Sequence, residues 1–291
     1  MLKNLTVVVI VALTISVGAV VVVAVGTHLV APRLHKVGAP PERLSAKIIQ
    51  IPRTDAEPIA GWFVAGKADI GGMLLLHSVR SSRREMAERA LFLNRAGYSV
   101  LLIDMQGHGE TAGEHITFGY LESRDVRDAI RYLRERMPEL PIGLLGVSLG
   151  GAAALLGEEP LNVDVLILEA VYTNIEKAIA NRLEIRLGPL GRYLAPLLLW
   201  QIEPRLGISR QSMSPVTAIS RLDIPVLIIA GENDRRTTLS DSRELFARAP
   251  EPKSLWVVPS ARHENLHRFS AVEYERKILA FLQRYMHCCA T

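Results

Sequence analysis

Cysteine is nearly absent from this chain. Of 291 residues two are cysteine, Cys288 and Cys289, side by side at the C-terminal end. Neighbouring cysteines rarely bridge each other, so there is no disulfide framework, and no metal-ligand spacing appears. The cysteines give no positive support for an oxidising compartment. A basic stripe is missing as well. The net charge is +4, but basic residues are scattered among acidic ones, which excludes the footprint of a nucleic-acid surface. There is no internal repeat, and no low-complexity tract beyond a valine-rich start. Charge itself is missing from Asn4 to Pro32 unless His28 is protonated.

That uncharged stretch is the first thing present. Leu5 to Val25 runs 21 residues, interrupted only by Thr6, Thr14, Ser16 and Gly18. At ~1.5 Å per residue it spans about 30 Å, the hydrocarbon thickness of a bilayer. A secretory signal peptide is the competing reading, since Ala24-Val25-Gly26 offers small residues at cleavage positions. Its apolar region would be ~7–15 residues, shorter than this one. The expectation is therefore an uncleaved single-pass anchor. Lys3 flanks one side and Arg33, Lys36, Arg43 and Lys47 the other, which by positive-inside reasoning favours a cytoplasmic C-terminal domain. A translocated domain after a signal anchor is the alternative, and the side is left open. The expected organisation is an anchor with its flank over 1–36, a stiff linker over 37–44 containing Ala39-Pro40-Pro41, and one large domain over 45–291.

Within that domain, 45–52 and 58–66 read as strands joined by a polar turn at Arg53 to Glu57. Gly72–His77, Tyr98–Asp104, Val163–Glu169, Ile224–Ala230 and 253–258 read as further strands. Ser81 or Ser82 is expected to cap a helix reaching about Ala96. Amphipathic helices are expected at 120–136, near 239–248 and from about 270 to 286. This alternation calls for a mostly parallel sheet with helices on both faces. Residues 172–219 break the rhythm with an apolar, proline-punctuated stretch, Leu187 to Trp200, expected as an inserted helical cap, with an ordinary pair of packed helices as the alternative; in either case its leucines would favour apolar substrate groups.

The stretch that organises the rest is Pro141 to Leu156. A short apolar run suited to a buried strand passes through Gly146-Val147-Ser148-Leu149-Gly150 into a small-residue helix. Ser148 would sit on a sharp turn, where a side chain at 146 or 150 would strike the neighbouring helix and strand. Free N–H groups of the following helix would face a developing oxyanion there. A glycine-rich turn with a serine cap is the plain alternative, and the downstream order decides. A serine nucleophile needs a base, and the base needs a partner that fixes its tautomer. Asp234 falls just past one buried strand and His263 just past the last one.

The order Ser148, Asp234, His263 and the strand–turn–helix at the serine resemble the α/β-hydrolase superfamily, most closely its serine aminopeptidase-like branch. The resemblance covers about 45–286. It implies an α/β-hydrolase fold and a serine hydrolase without metal or organic cofactor. Ser148 would attack an acyl carbonyl, His263 act as base and then acid, and Asp234 orient it. It also implies an oxyanion hole from the N–H groups of Val79 and Leu149, with Ser78 standing where the family has glycine. A serine there would be strained if the position needs φ > 0. Some relatives place the acid at the position of Glu169, the alternative here. Asp104 to Gly109 matches a structural turn. His267, His77 and His108 are expected to pack, cap or hold loops together, and Arg235 and Arg236 to be solvated. The preferred substrate is a small-molecule carboxylic ester with an apolar acyl group; a short peptide or a thioester is the alternative, and a non-catalytic binding module the reading from another class.

Overall fold

The computed structural model describes residues 2–53, 56–158 and 161–286. Thr54 and Asp55 of the expected polar turn, and Cys288 and Cys289, lie outside the described residues. Helix α1 (Leu2–Val30) opens the chain. Eight strands follow: β1 (Lys47–Ile51), β2 (Ile59–Val64), β3 (Gly72–Leu76), β4 (Ser99–Ile103), β5 (Ile142–Val147), β6 (Val165–Glu169), β7 (Val226–Gly231) and β8 (Lys253–Val258). They form one sheet in the order β8-β7-β6-β5-β3-β4-β2-β1. Strand β2 is antiparallel to β1 and β4, and the other pairs are parallel. The expected fold class, an α/β-hydrolase fold with a mostly parallel sheet, is the one observed.

The apolar runs produce this sheet because both of its faces are covered. Alternate residues of one strand enter opposite clusters: Leu74, Leu144 and Leu166 pack on one side, Met73, Leu75, Leu145 and Val165 on the other. Helices α3 (Glu122–Arg136), α4 (Leu149–Leu155) and α9 (Leu239–Arg248) cover the first face. Helices α2 (Ala87–Arg95), the short α10 (Leu266–Phe269) and α11 (Ala271–Tyr285) cover the second. A fully buried leucine contributes roughly 1.5–3 kcal/mol. A register slip in a central strand would therefore forfeit several such terms at once.

Two local expectations are corrected and one alternative is set aside. Ser82 stands before a 3-10 turn, Arg83–Met86, without a side-chain cap. The Arg83 N–H is taken instead by Asp104 Oδ1 at 2.6 Å. The cap is not a pair of long helices. It comprises α5 (Ile175–Leu187), a 3-10 turn (Pro189–Leu194), α6 (Ala195–Leu199), α7 (Ile202–Leu206) and, after a further 3-10 turn, α8 (Pro215–Ala218). Pro189 and Pro196 sit in the first turns of their segments, where a missing N–H costs nothing. The stretch read as flank and linker lies on the domain. Arg33 and Leu34 pair with His108 and Gly109 as a two-residue parallel ladder, and Val37 and Leu44 are buried.

Candidate active site

Parallel strands in register bring their carboxyl ends to one edge. Leu76 lies beside Gly146, Val147 beside Glu169, Glu169 beside Ile229, and Gly231 beside Val258. Ser148 leaves β5 with φ 51° and ψ −107°, a conformation that an L-residue holds only when its surroundings fix it. Its N–H donates to Glu169 O at 2.8 Å, and its carbonyl accepts Ala152 N–H at 3.0 Å. A Cβ on Gly146 would lie 2.5 Å from Gly151 N, and one on Gly150 would lie 2.6 Å from Leu76 O. Helix and strand therefore both demand glycine, as the spacing requires. Ser148 is buried, and its hydroxyl does not cap α4.

Past β7 the chain turns around Asp234. Its Oδ1 accepts N–H from Arg236 at 2.7 Å and from Thr237 at 3.0 Å. Its Oδ2 accepts the Thr237 hydroxyl at 2.7 Å and lies 2.7 Å from His263 Nδ1. That contact assigns the ring proton to Nδ1 and leaves the Nε2 lone pair free. Burial alone would raise the Asp234 carboxyl, but the bonds from His263 and Thr237 outweigh it and hold the group below the ordinary carboxylate range. Asn181 of α5 donates to Arg236 O at 3.1 Å, tying the cap to this turn.

Glu169 is placed differently. It is fully buried at the end of β6, with Arg89 Nη2 at 2.7 and 2.9 Å from its two oxygens. Tyr274 donates to Glu169 Oε2 at 2.6 Å and accepts from Arg89 Nε at 2.9 Å. This closed triangle joins β6, α2 and α11. The structure brings Asp234, and not Glu169, to His263.

The loop after β3 answers the condition attached to Ser78. Ser78 is not at positive φ; Arg80, two residues on, is, at 61°. The Ser78 N–H and hydroxyl both donate to Glu85 Oε2, at 2.9 and 2.8 Å. Arg80 reaches back to His28 at the end of α1, donating to its carbonyl. His77 donates from Nδ1 to Ser78 O at 2.7 Å and accepts Met105 N–H on Nε2 at 3.1 Å. The His108 ring lies 5.1 Å from it. Burial first and the neighbouring imidazole second push His108 down to about 4, and burial lowers His77 too. His267 bonds Glu275 at 2.8 Å. Asp104 holds Arg83 and the Glu110 N–H, so its turn is structural. Arg235 and Arg236 are exposed.

Thr237 was not singled out from sequence, although it serves both Asp234 and the His263 side, 3.4 Å from Nδ1. The signal was partial: an aspartate in a turn commonly accepts the backbone N–H two residues on, as from Arg236 here, and that turn carries Thr237 back to the carboxylate.

The family profile described as "Serine aminopeptidase, S33" matches residues 70–215, from just before β3 through the serine turn to the start of α8. The chain belongs to this family of α/β-hydrolases. Among curated proteins of similar sequence are YqkD of Bacillus subtilis, 23% identical over 83% of this chain and 80% of that one, and human ABHD12B, 27% identical over 64% and 52%. The fold is similar to that of the Pyrococcus furiosus esterase Pf2001, with a TM-score of 0.72 at 22% identity over 88% of this chain and 99% of that one. It is also similar to the esterase Est2 of Thermogutta terrifontis, with a TM-score of 0.63 at 16% identity over 87% and 97%. Family membership and these folds support a hydrolase. Among the described residues one helix, Asn4–Val30, is long and apolar enough to cross a membrane.

Proposed function

We propose that the protein is a membrane-anchored serine hydrolase that cleaves a carboxylic ester. Ser148 attacks the acyl carbonyl while His263 Nε2 takes its proton, and Asp234 fixes the Nδ1–H tautomer and stabilises the imidazolium. The N–H groups of Val79 and Leu149 receive the oxyanion. His263 then returns the proton to the leaving alcohol, and water releases the acyl group by the same steps in reverse. The observation that carries the reading is the 2.7 Å bond from His263 to Asp234, at the sheet edge where Ser148 is held at φ 51°. An activated serine of this kind reacts with fluorophosphonates, whereas a binding module of the same fold does not. Ser148→Ala is expected to abolish fluorophosphonate labelling and p-nitrophenyl ester turnover with an unchanged melting temperature. Labelling that persists and maps to another serine overturns the assignment.

The anchor reading rests on what α1 touches. Gln201 and Arg205 donate to the carbonyls of Val22 and Val23, and Ile116 N–H donates to Val30 O. Signal cleavage near Gly26 would remove part of this surface, so we read α1 as retained.

A further inference from the structure

The cap turns much of its apolar surface outward. Among the described residues, eleven large hydrophobic side chains outside α1 are exposed, and seven of them fall between Ile185 and Trp200. Leu190, Tyr193 and Trp200 are each about three-quarters exposed, at 75%, 73% and 74%. Leu198 and Leu199 instead fill the interior of the cap. The leucines of this stretch are thus divided between a small core and an outer face, and the outer face needs a partner.

The contacts of α1 say which partner. Its Val22 and Leu29 pack into the same cluster as Leu198 and Ile202. Gln201 Nε2 donates to Val22 O at 3.1 Å, and Arg205 donates to Val23 O at 3.0 Å and to Thr27 Oγ1 at 2.8 Å. The approach is close: a Cβ on Gly26 would lie 2.4 Å from Gln201 Oε1. A hydrocarbon core takes about 20 residues of helix. Counted from Leu5, it ends near Ala24, within the span that the cap grips. The outer face of the cap therefore begins at the level where acyl chains give way to headgroups, and an exposed tryptophan and tyrosine are the side chains that prefer that level.

We propose that the outer face of the cap, residues 185–200, rests in the interfacial layer of the bilayer that α1 enters, and that the ester is that of an amphiphile held in the same leaflet. This rests on reading α1 as a membrane helix and Ser148 as the nucleophile. The last turn of α1 touches the cap through Arg205 and the Val79 loop through Arg80, so the helix read as entering the membrane meets both the cap and the loop of the proposed oxyanion site.

The test uses the full chain in phosphatidylcholine vesicles whose acyl chains carry bromine near the headgroup. Tryptophan emission is expected to show a quenched component that Trp200→Phe lacks, with the buried Trp62 as internal reference. In the same vesicles Leu190→Glu/Leu197→Glu is expected to slow hydrolysis of a long-chain monoacyl ester by about tenfold or more, while p-nitrophenyl butyrate turnover stays within about twofold. Three results overturn the proposal: equal quenching with and without Trp200, equal loss on both esters, or a detergent-solubilised dimer that the double substitution dissociates. The last would give the face to a second copy. Quenching needs no catalysis. A protein quenched at Trp200 that hydrolyses neither ester keeps the membrane face and discards the catalytic reading, and an unquenched protein that hydrolyses both does the reverse.

Discussion

Asp234 and Glu169 lie at the ends of adjacent strands on one sheet edge, and both are buried. Both accept several hydrogen bonds. They differ in the side chain that answers them. Glu169 faces Arg89, which no accessible pH discharges, inside a triangle closed by Tyr274. Asp234 faces His263, an imidazole with a second ring nitrogen to offer a reacting group, in a turn held by Thr237. A carboxylate fixed to a permanent cation is a brace between elements. A carboxylate fixed to an imidazole can pass the effect of its charge to a third group. On the proposed mechanism the same side-chain chemistry at the same depth serves stability in one place and reactivity in the other.

The largest effect expected from breaking this contrast is a crossed pair of substitutions. Asp234→Asn should lower kcat by about 10⁴, the loss expected when an imidazole is left in the wrong tautomer, with little change in melting temperature. Glu169→Gln should do the opposite. It leaves the Arg89 charge buried without its partner and should cost about 3–5 kcal/mol in chemical denaturation, with kcat per folded molecule nearly unchanged. If Glu169→Gln were the more damaging to kcat in folded protein, the acid would move to Glu169.

A smaller effect sharpens the comparison through the histidines. His263 has a carboxylate beside it, whereas His108 has His77. The folded state keeps His108 neutral down to about pH 4, while the unfolded chain takes up the proton near 6.5. Its contribution is therefore full above pH 6.5 and is lost as pH falls toward 4. The depression amounts to about 3 kcal/mol. His108→Phe should flatten the pH dependence of the denaturation midpoint across that window, and an unchanged slope would show that another group dominates it.

The smallest effect concerns Ser78. Since Arg80 carries the positive φ, Ser78→Gly relieves no strain and removes the hydroxyl bond to Glu85. Stability should fall by about 1 kcal/mol and ester turnover stay within about threefold. A tenfold fall would bring the side chain into the chemistry.

The central strands were legible because each is largely an apolar run, and β7 followed by Asp234 and β8 followed by His263 could be read as strand ends without knowing the packing. The glycines at 146 and 150 were legible for the same local reason. The Arg89–Glu169 pair was not, since 80 residues separate its partners and nothing in either segment marks the other. Arg80 was missed because positive φ in a non-glycine residue is imposed by the surrounding fold. The grip of Gln201 and Arg205 on α1 was hidden likewise: polar residues on a cap look solvated until the helix they hold is in place.

The triangle of Arg89, Glu169 and Tyr274 also has a consequence in time. Tyr274 follows Glu169 by 105 residues. A ribosome adds those in about 5–20 s. Through that interval the nascent sheet can pair Glu169 with Arg89, but the phenol that accepts from one and donates to the other has not been made. The sheet is then a scaffold waiting for its last helix, and a transcript cut short before α11 would yield a chain with its central ion pair open to water rather than a slightly smaller enzyme.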